Sequence, residues 1–182
     1  MSKTYVALLR GINVGRANRI PMAGLRSMVA DLGCEDVTSL LNSGNLIFRD
    51  AGRRPARLAA LIRHAIDQRY GLEVPVIVLS GEDWHKIAQT NPLGEVMTDP
   101  SRLLVAFAAQ SSDLDAARGI ADEQWAPDAI AITDKSAYVW CDAGVLKSPL
   151  MKAFVRKTGN LVTARNWTTV QKLQSRLVLS QL

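Results

Sequence analysis

The sequence is poor in the residues that build redox, metal and aromatic sites. Of 182 residues only two are cysteines, Cys34 and Cys141, and two are histidines, His64 and His85. Neither cysteine belongs to a C-x-x-C pair, and the four residues show no zinc-ligand spacing. A disulfide framework, a structural zinc or a dithiol redox motif therefore has no support, and a reduced cytoplasm is the expected location. Aromatic residues make up only 5% of the chain. No apolar run approaches the roughly 20 residues of a membrane span, so no membrane partner is expected. Tyr5-Val6-Ala7-Leu8-Leu9 is too short, and lacks the small-residue site, for a cleaved leader. Low-complexity tracts and flexible linkers are also missing, and the last 36 residues hold no acidic side chain.

What is present is an ordinary globular composition, 48% hydrophobic and 21% charged. A chain of this length forms one or two small domains and buries roughly 70% of its unfolded surface without covalent staples. The net charge of +5 is segregated. Residues 1–75 carry 11 basic and 6 acidic side chains, residues 76–146 carry 4 and 11, and residues 147–182 carry 7 and none. Basic ends around an acidic middle either offset each other within the fold or expose a positive face to an anion.

Hydrophobic spacing predicts the element order. Thr4 to Leu9 is continuously apolar after Tyr5 and reads as a buried strand. A polar loop, residues 10–19, follows, and Pro21 opens a helix that keeps Met22, Leu25, Val29 and Leu32 on one face and stops at Gly33. Val37 to Leu41 and Leu46 to Arg49 form a hairpin around Asn42-Ser43-Gly44-Asn45. Pro55 opens a second helix with Leu58, Leu61, Ile62, Ala65 and Ile66 inside, closed by Gly71, and Val74 to Leu79 is a fourth strand. The order β-α-β-β-α-β is a split βαβ unit.

The segment from Ser80 begins a connecting helix, with Ser80 and Asp83 as a capping pair and Trp84 facing Leu79. The same order then repeats: strand 102–108, a helix capped by Ser112 and Asp115 and reaching Gln124, strands 129–133 and 137–141, a helix opened by Ser148-Pro149, and strand 161–164. A last helix follows Trp167, with Thr168 and Gln171 as its capping pair. The predicted fold is α+β, with ferredoxin-like halves at residues 1–79 and 102–182, a connector over 80–101, and a C-terminal helix. No residue-level repeat accompanies the repeated order. The runs Val6 to Leu9 and Leu103 to Phe107 are apolar on both faces, so both faces of each sheet should be covered.

Three polar segments carry chemistry. The first is Gly11-x-Asn13-x-Gly15-x-x-Asn18, between a buried strand and a helix start, with Arg10, Arg16 and Arg19 on the same loop. Glycines free backbone N–H groups and the helix start adds partial positive charge, which together suit a phosphate or carboxylate. The spacing matches neither the Rossmann nor the Walker signature, so no nucleotide cofactor is implied. A solvated turn would use the same residue types. The second segment, Ser43-Gly44-Asn45, is a tight corner that antiparallel pairing brings to the end of the first strand. The third, Arg165-Asn166-Trp167-Thr168-Thr169, repeats the strand, polar turn and helix arrangement. Trp167 either stacks on a ligand ring or anchors the core.

Other charged groups have plainer readings. Arg53, Arg54 and Arg57 crowd the positive end of the second helix, a mismatch costing about 0.3–1 kcal/mol unless something offsets it. Lys152 with Arg156 and Lys172 with Arg176 form basic ridges that could meet a nucleic-acid backbone. RNA-recognition modules share the split βαβ layout and would use Phe107, Tyr138 and Trp140. The missing Gly-aromatic signature and the doubly apolar strands disfavour that reading. His64 and His85 read as exposed helix residues, and no nucleophile or acid–base pair stands out.

Read together, Val6-Ala7-Leu8-Leu9-Arg10-Gly11-Ile12-Asn13-Val14-Gly15, Ile20-Pro21-Met22, Asn42-Ser43-Gly44-Asn45 and Thr163-Ala164-Arg165-Asn166-Trp167-Thr168-Thr169-Val170 resemble the bacterial family called domain of unknown function 1697. The resemblance spans nearly the whole chain. It implies a duplicated α+β fold with ferredoxin-like halves and implies no reaction. Gln-Ser-Gly-Asn is common in that family where Asn42-Ser43-Gly44-Asn45 stands, and Gly-Gly-Lys-Asn where Gly15-Arg16-Ala17-Asn18 stands; both exchanges keep polarity or positive charge.

The residues thus predict a cleft for a small anionic ligand. Arg10, Arg16 and Arg165 would neutralise charge, and the backbone at Gly11 and Gly15 would donate hydrogen bonds. Asn13, Asn18, Ser43, Asn45, Asn166 and Thr168 would orient the ligand, with Trp167 beside them. No metal or cofactor is called for. An enzyme using Ser43 or a carboxylate in the same cleft, and nucleic-acid binding through the basic ends, are the alternatives.

Overall fold

The continuously apolar run from Val6 to Leu9 is best satisfied at the centre of a sheet, and that is where it lies. In the computed structural model, which describes residues 2–15 and 18–179, strand β1 (Lys3–Leu9) pairs on both sides. One neighbour is β3 (Asn45–Asp50), the other β4 (Val76–Ser80). The exposed strand β2 (Glu35–Leu40) takes the edge, giving the antiparallel order β2-β3-β1-β4. Helices α1 (Met22–Asp31) and α2 (Pro55–Tyr70) supply Leu25, Met28, Val29, Leu58, Ile62 and Ile66 to the core under Tyr5, Ala7 and Leu9. Val6 and Leu8, on the opposite face, are equally buried. Both helices end as their glycines dictate: Gly33 and Gly71 adopt left-handed φ of 83° and 62° and donate to the carbonyls of Ala30 and Asp67.

Helix α3 (Gly81–Gln89) follows, its first turn capped by Ser80 Oγ accepting from Asp83 N at 3.1 Å. The second sheet is built from β5 (Leu103–Ala108), β6 (Ala129–Ile132), β7 (Ser136–Trp140) and β8 (Val162–Asn166), in the antiparallel order β6-β7-β5-β8. Helices α4 (Asp115–Ala121) and α5 (Pro149–Thr158) pack Ala117, Ile120, Leu150 and Phe154 against Ala106 and Val139. Helix α6 (Trp167–Leu179) closes the chain.

The fold is therefore α+β, with two four-stranded antiparallel sheets and six α-helices among the described residues. It divides into two compact units, Met1–His85 with Leu177–Leu182, and Lys86–Arg176. No helix among the described residues is long and apolar enough to cross a membrane.

Two helix boundaries differ from the sequence reading. Ser112 and Asp115 do not cap a helix reaching Gln124. A 3-10 turn, Ser111–Leu114, comes first, and Asp113 accepts from Gln110 N at 3.0 Å. Helix α4 ends at Ala121 because the Trp125 indole N–H donates to the Ile120 carbonyl at 2.7 Å and occupies a helix-end acceptor. The cap of α6 is likewise Asn166, whose Oδ1 accepts from Thr169 N at 2.9 Å. Thr168 lies inside the helix, and its expected partner Gln171 donates instead to the Ala88 carbonyl at 3.0 Å.

Candidate functional site

The loop leaving β1 is held by its own asparagines. Gly11, Asn13, Gly15 and Asn18 all have left-handed φ, at 72°, 55°, 60° and 48°. Glycine and asparagine are the residues that adopt this conformation most readily, which explains the composition of the loop. The Asn13 side chain bridges three segments. Its Nδ2 donates to the carbonyls of Ile20 at 3.0 Å and Asn42 at 2.8 Å, and its Oδ1 accepts from Ile20 N at 2.9 Å. Asn18 Nδ2 donates to Gly11 O at 3.1 Å, and the Arg19 guanidinium donates to Gly15 O at the same distance. Both ends of the loop are thus tied to each other and to the hairpin. Asn13→Ala removes all three side-chain bonds, and we expect it to lower unfolding stability by about 1–2 kcal/mol, measured by denaturant titration.

The hairpin meets this loop as antiparallel pairing requires, with Leu8 opposite Asn45 and Leu9 N donating to Gly44 O at 2.8 Å. Asn45 is fully buried, and its Nδ2 donates to Leu40 O at 2.9 Å and Ser43 Oγ at 3.0 Å. Its amide therefore braces the corner from within and is not presented at the surface. Ser43 is exposed beside it.

Between loop and hairpin lies a cavity of about 340 Å³. Its polar lining residues are Asn13, Gly15, Arg19 and Asn42, and its apolar ones Ile20, Pro21 and Met22. Pro21 and Met22 are the cap and first residue of α1, whose first turn has no acidic side chain to compete with an anion. Of the predicted residues, Asn13 and Gly15 line this cavity; Arg10, Gly11, Asn18, Ser43 and Asn45 belong to the same loop and hairpin but not to the lining. Arg16 lies outside the described residues. Arg19, Met22 and Asn42 fall within the segments the sequence marks but are not among the ligand contacts it predicts. Pro21-Met22 as a helix start is the available signal for the apolar lining.

The residues of the third segment belong to the second unit. Arg165 is half-buried, donating to Ala164 O at 2.8 Å and Thr163 Oγ1 at 3.3 Å, and burial lowers its pKa to about 10, still cationic at neutral pH. Trp167 is buried and packs on Tyr138, ring centroids 6.4 Å apart, so it is a core anchor. Phe107, Tyr138 and Trp140 are buried too, the Tyr138 hydroxyl donating to Ile87 O at 2.8 Å, and they offer no open stacking surface.

The arginine mismatch at the start of α2 has an internal solution that the sequence reading missed. Asp50, buried at the end of β3, accepts from Gly52 N at 2.9 Å, Arg53 N at 2.7 Å and Arg53 Nε at 2.6 Å. Burial alone would push its carboxyl up, but these hydrogen bonds and the Arg53 charge prevail and hold it below the ordinary value. Arg54 and Arg57 are exposed. Cys34 and Cys141 are free and buried, and burial raises both thiols, which disfavours the nucleophilic thiolate. His64 and His85 are exposed.

A two-sheet α+β protein with a loop-and-hairpin cavity in its first unit is the class these features define. The chain belongs to the family described as protein of unknown function (DUF1697), which matches residues 2–138. Among solved structures it is similar to the conserved bacterial protein SP0830 from Streptococcus pneumoniae. That similarity has 25% sequence identity and a TM-score of 0.79, and covers 97% of this chain and 99% of that one. No curated protein matches the chain.

Proposed function

We propose that the loop-and-hairpin cavity binds a small anion of the phosphate class. The observation that carries this reading is the cavity lining itself, in which Gly15, the Arg19 guanidinium and the first turn of α1 stand together. Left-handed backbone at Gly11, Asn13 and Gly15 shapes the loop around it, with Asn13 N–H donating to Asn18 O at 3.0 Å. The N-terminus of α1, lining the same cavity, adds positive partial charge, and Arg19 adds a full one. The Asn13 bridge holds the loop in this form before a ligand arrives, which limits the ordering cost of binding.

The same reading takes the two sheets as a duplicated ferredoxin-like arrangement. What supports it is the repeated strand order, β2-β3-β1-β4 and β6-β7-β5-β8, with the crossover helices in the same places. It also takes the protein as cytoplasmic, supported by two free thiols.

The test is isothermal titration of the full chain with inorganic phosphate and with a panel of small phosphate monoesters. Saturable binding is expected, weakened about tenfold or more by Arg19→Ala, since a charge-assisted contact is lost. Absence of heat and of any melting-temperature shift at millimolar phosphate ester would remove the proposal.

A further inference from the structure

The cavity is larger than an inorganic anion needs, and only half of it is polar. Its volume of about 340 Å³ lies at the lower end of the range of pockets that enclose organic ligands. The rest of its lining is Ile20, Pro21 and Met22. Two large apolar residues that adjoin the lining in sequence, without being part of it, also stand in solvent. Val14, between the lining residues Asn13 and Gly15, is 69% exposed, and Leu41, immediately before the lining residue Asn42, is 52% exposed. Packing explains neither exposure.

Leu41 is the more informative. Its φ is 59°, in the left-handed region that a branched, bulky side chain rarely occupies. Asparagine or glycine would hold this turn at lower cost, as Asn13, Asn18 and Gly44 do nearby. A leucine kept in an unfavourable backbone conformation, with its side chain in water and next in sequence to a cavity-lining residue, is the pattern of a residue retained for contact with a ligand.

We infer that the ligand is a small anion carrying an apolar substituent, of the class of alkyl or aryl phosphate monoesters. Its charged end would lie toward Gly15 and Arg19, and its apolar end against Pro21 and Met22 under Val14 and Leu41. This rests on the anion-binding reading above and adds the second half of the ligand. Free phosphate would fill only the polar side.

Titrations with inorganic phosphate, methyl phosphate, butyl phosphate, phenyl phosphate and butanol separate the two readings. Affinity should rise at least tenfold from methyl to butyl phosphate, because each buried methylene is worth up to about fourfold. Leu41→Asn and Val14→Ser together should erase that rise and leave inorganic phosphate binding unchanged. Leu41→Asn alone should keep or raise the melting temperature, showing that the lost affinity is not lost folding. If phosphate and methyl phosphate bind but butyl and phenyl groups add nothing, the apolar half falls and anion binding stands. If butanol binds as tightly as butyl phosphate, anion binding falls and this inference with it. If no phosphate compound binds, both fall.

Discussion

Gly44→Ala should be among the most damaging single-atom additions in the first unit. Gly44 has φ of 79°, and a Cβ there would stand 2.7 Å from Leu9 Cβ and 2.8 Å from Ile12 Cδ1. Leu9 and Ile12 are themselves fully buried, so neither can yield without disturbing the core under β1. Left-handed strain and overpacking act together, and their usual magnitudes give a loss of about 2–4 kcal/mol. For a chain of this size that is a melting-temperature drop of roughly 5–15 °C. Gly11→Ala is the comparison. It has a similar φ of 72° but nothing within 4 Å of the added carbon, so only the backbone cost remains, about 1 kcal/mol. Equal losses in the two variants, measured by thermal melts, would show that the close approach of hairpin and strand contributes nothing.

Removing the buried carboxylate at the end of β3 should cost nearly as much. Asp50→Ala leaves the Arg53 guanidinium and the Gly52 and Arg53 N–H groups without their acceptor, at a cost on the order of 2–3 kcal/mol. The pH dependence has a definite sign. The native carboxyl is held below its ordinary value, so the folded state binds this proton less readily than the unfolded chain. Its stabilisation is complete above the unfolded carboxyl value near ~4 and is lost as the pH falls through the lowered native one. Wild type and Asp50→Asn should therefore differ most at neutral pH and converge in acid. A constant gap from neutral pH to about pH 2 would contradict the role assigned to Asp50.

The helix and strand order was legible because its determinants are local. Apolar periodicity placed the crossover helices, and Pro55, Gly33, Gly71 and Ser148 act at helix ends within one turn of their own positions. The doubly apolar runs in β1 and β5 foretold central strands buried on both faces. The errors arose where a neighbouring residue that the spacing rules do not single out took over a local role. Trp125 ends α4, Asn166 in place of Thr168 caps α6, and Asp50 pairs with Arg53, one member of the arginine cluster at the start of α2.

The candidate site divides along the same line. Glycine and asparagine at 11, 13, 15 and 18 announce left-handed backbone, because few other residues tolerate it, and that much the chain alone determined. Whether an amide such as that of Asn13 or Asn45 faces a ligand or is consumed in holding the loop depends on which carbonyls lie within 3 Å. The Ile20 carbonyl reaches Asn13 within the folded loop and that of Leu40 reaches Asn45 across the β2–β3 turn, while that of Asn42 comes into range only when β1 and β3 pair. The exposure of Leu41 is of the same kind: it reads as the end of a strand, but the last β2–β3 pair is Leu40 with Asn45, and Leu41 lies beyond it in a left-handed turn.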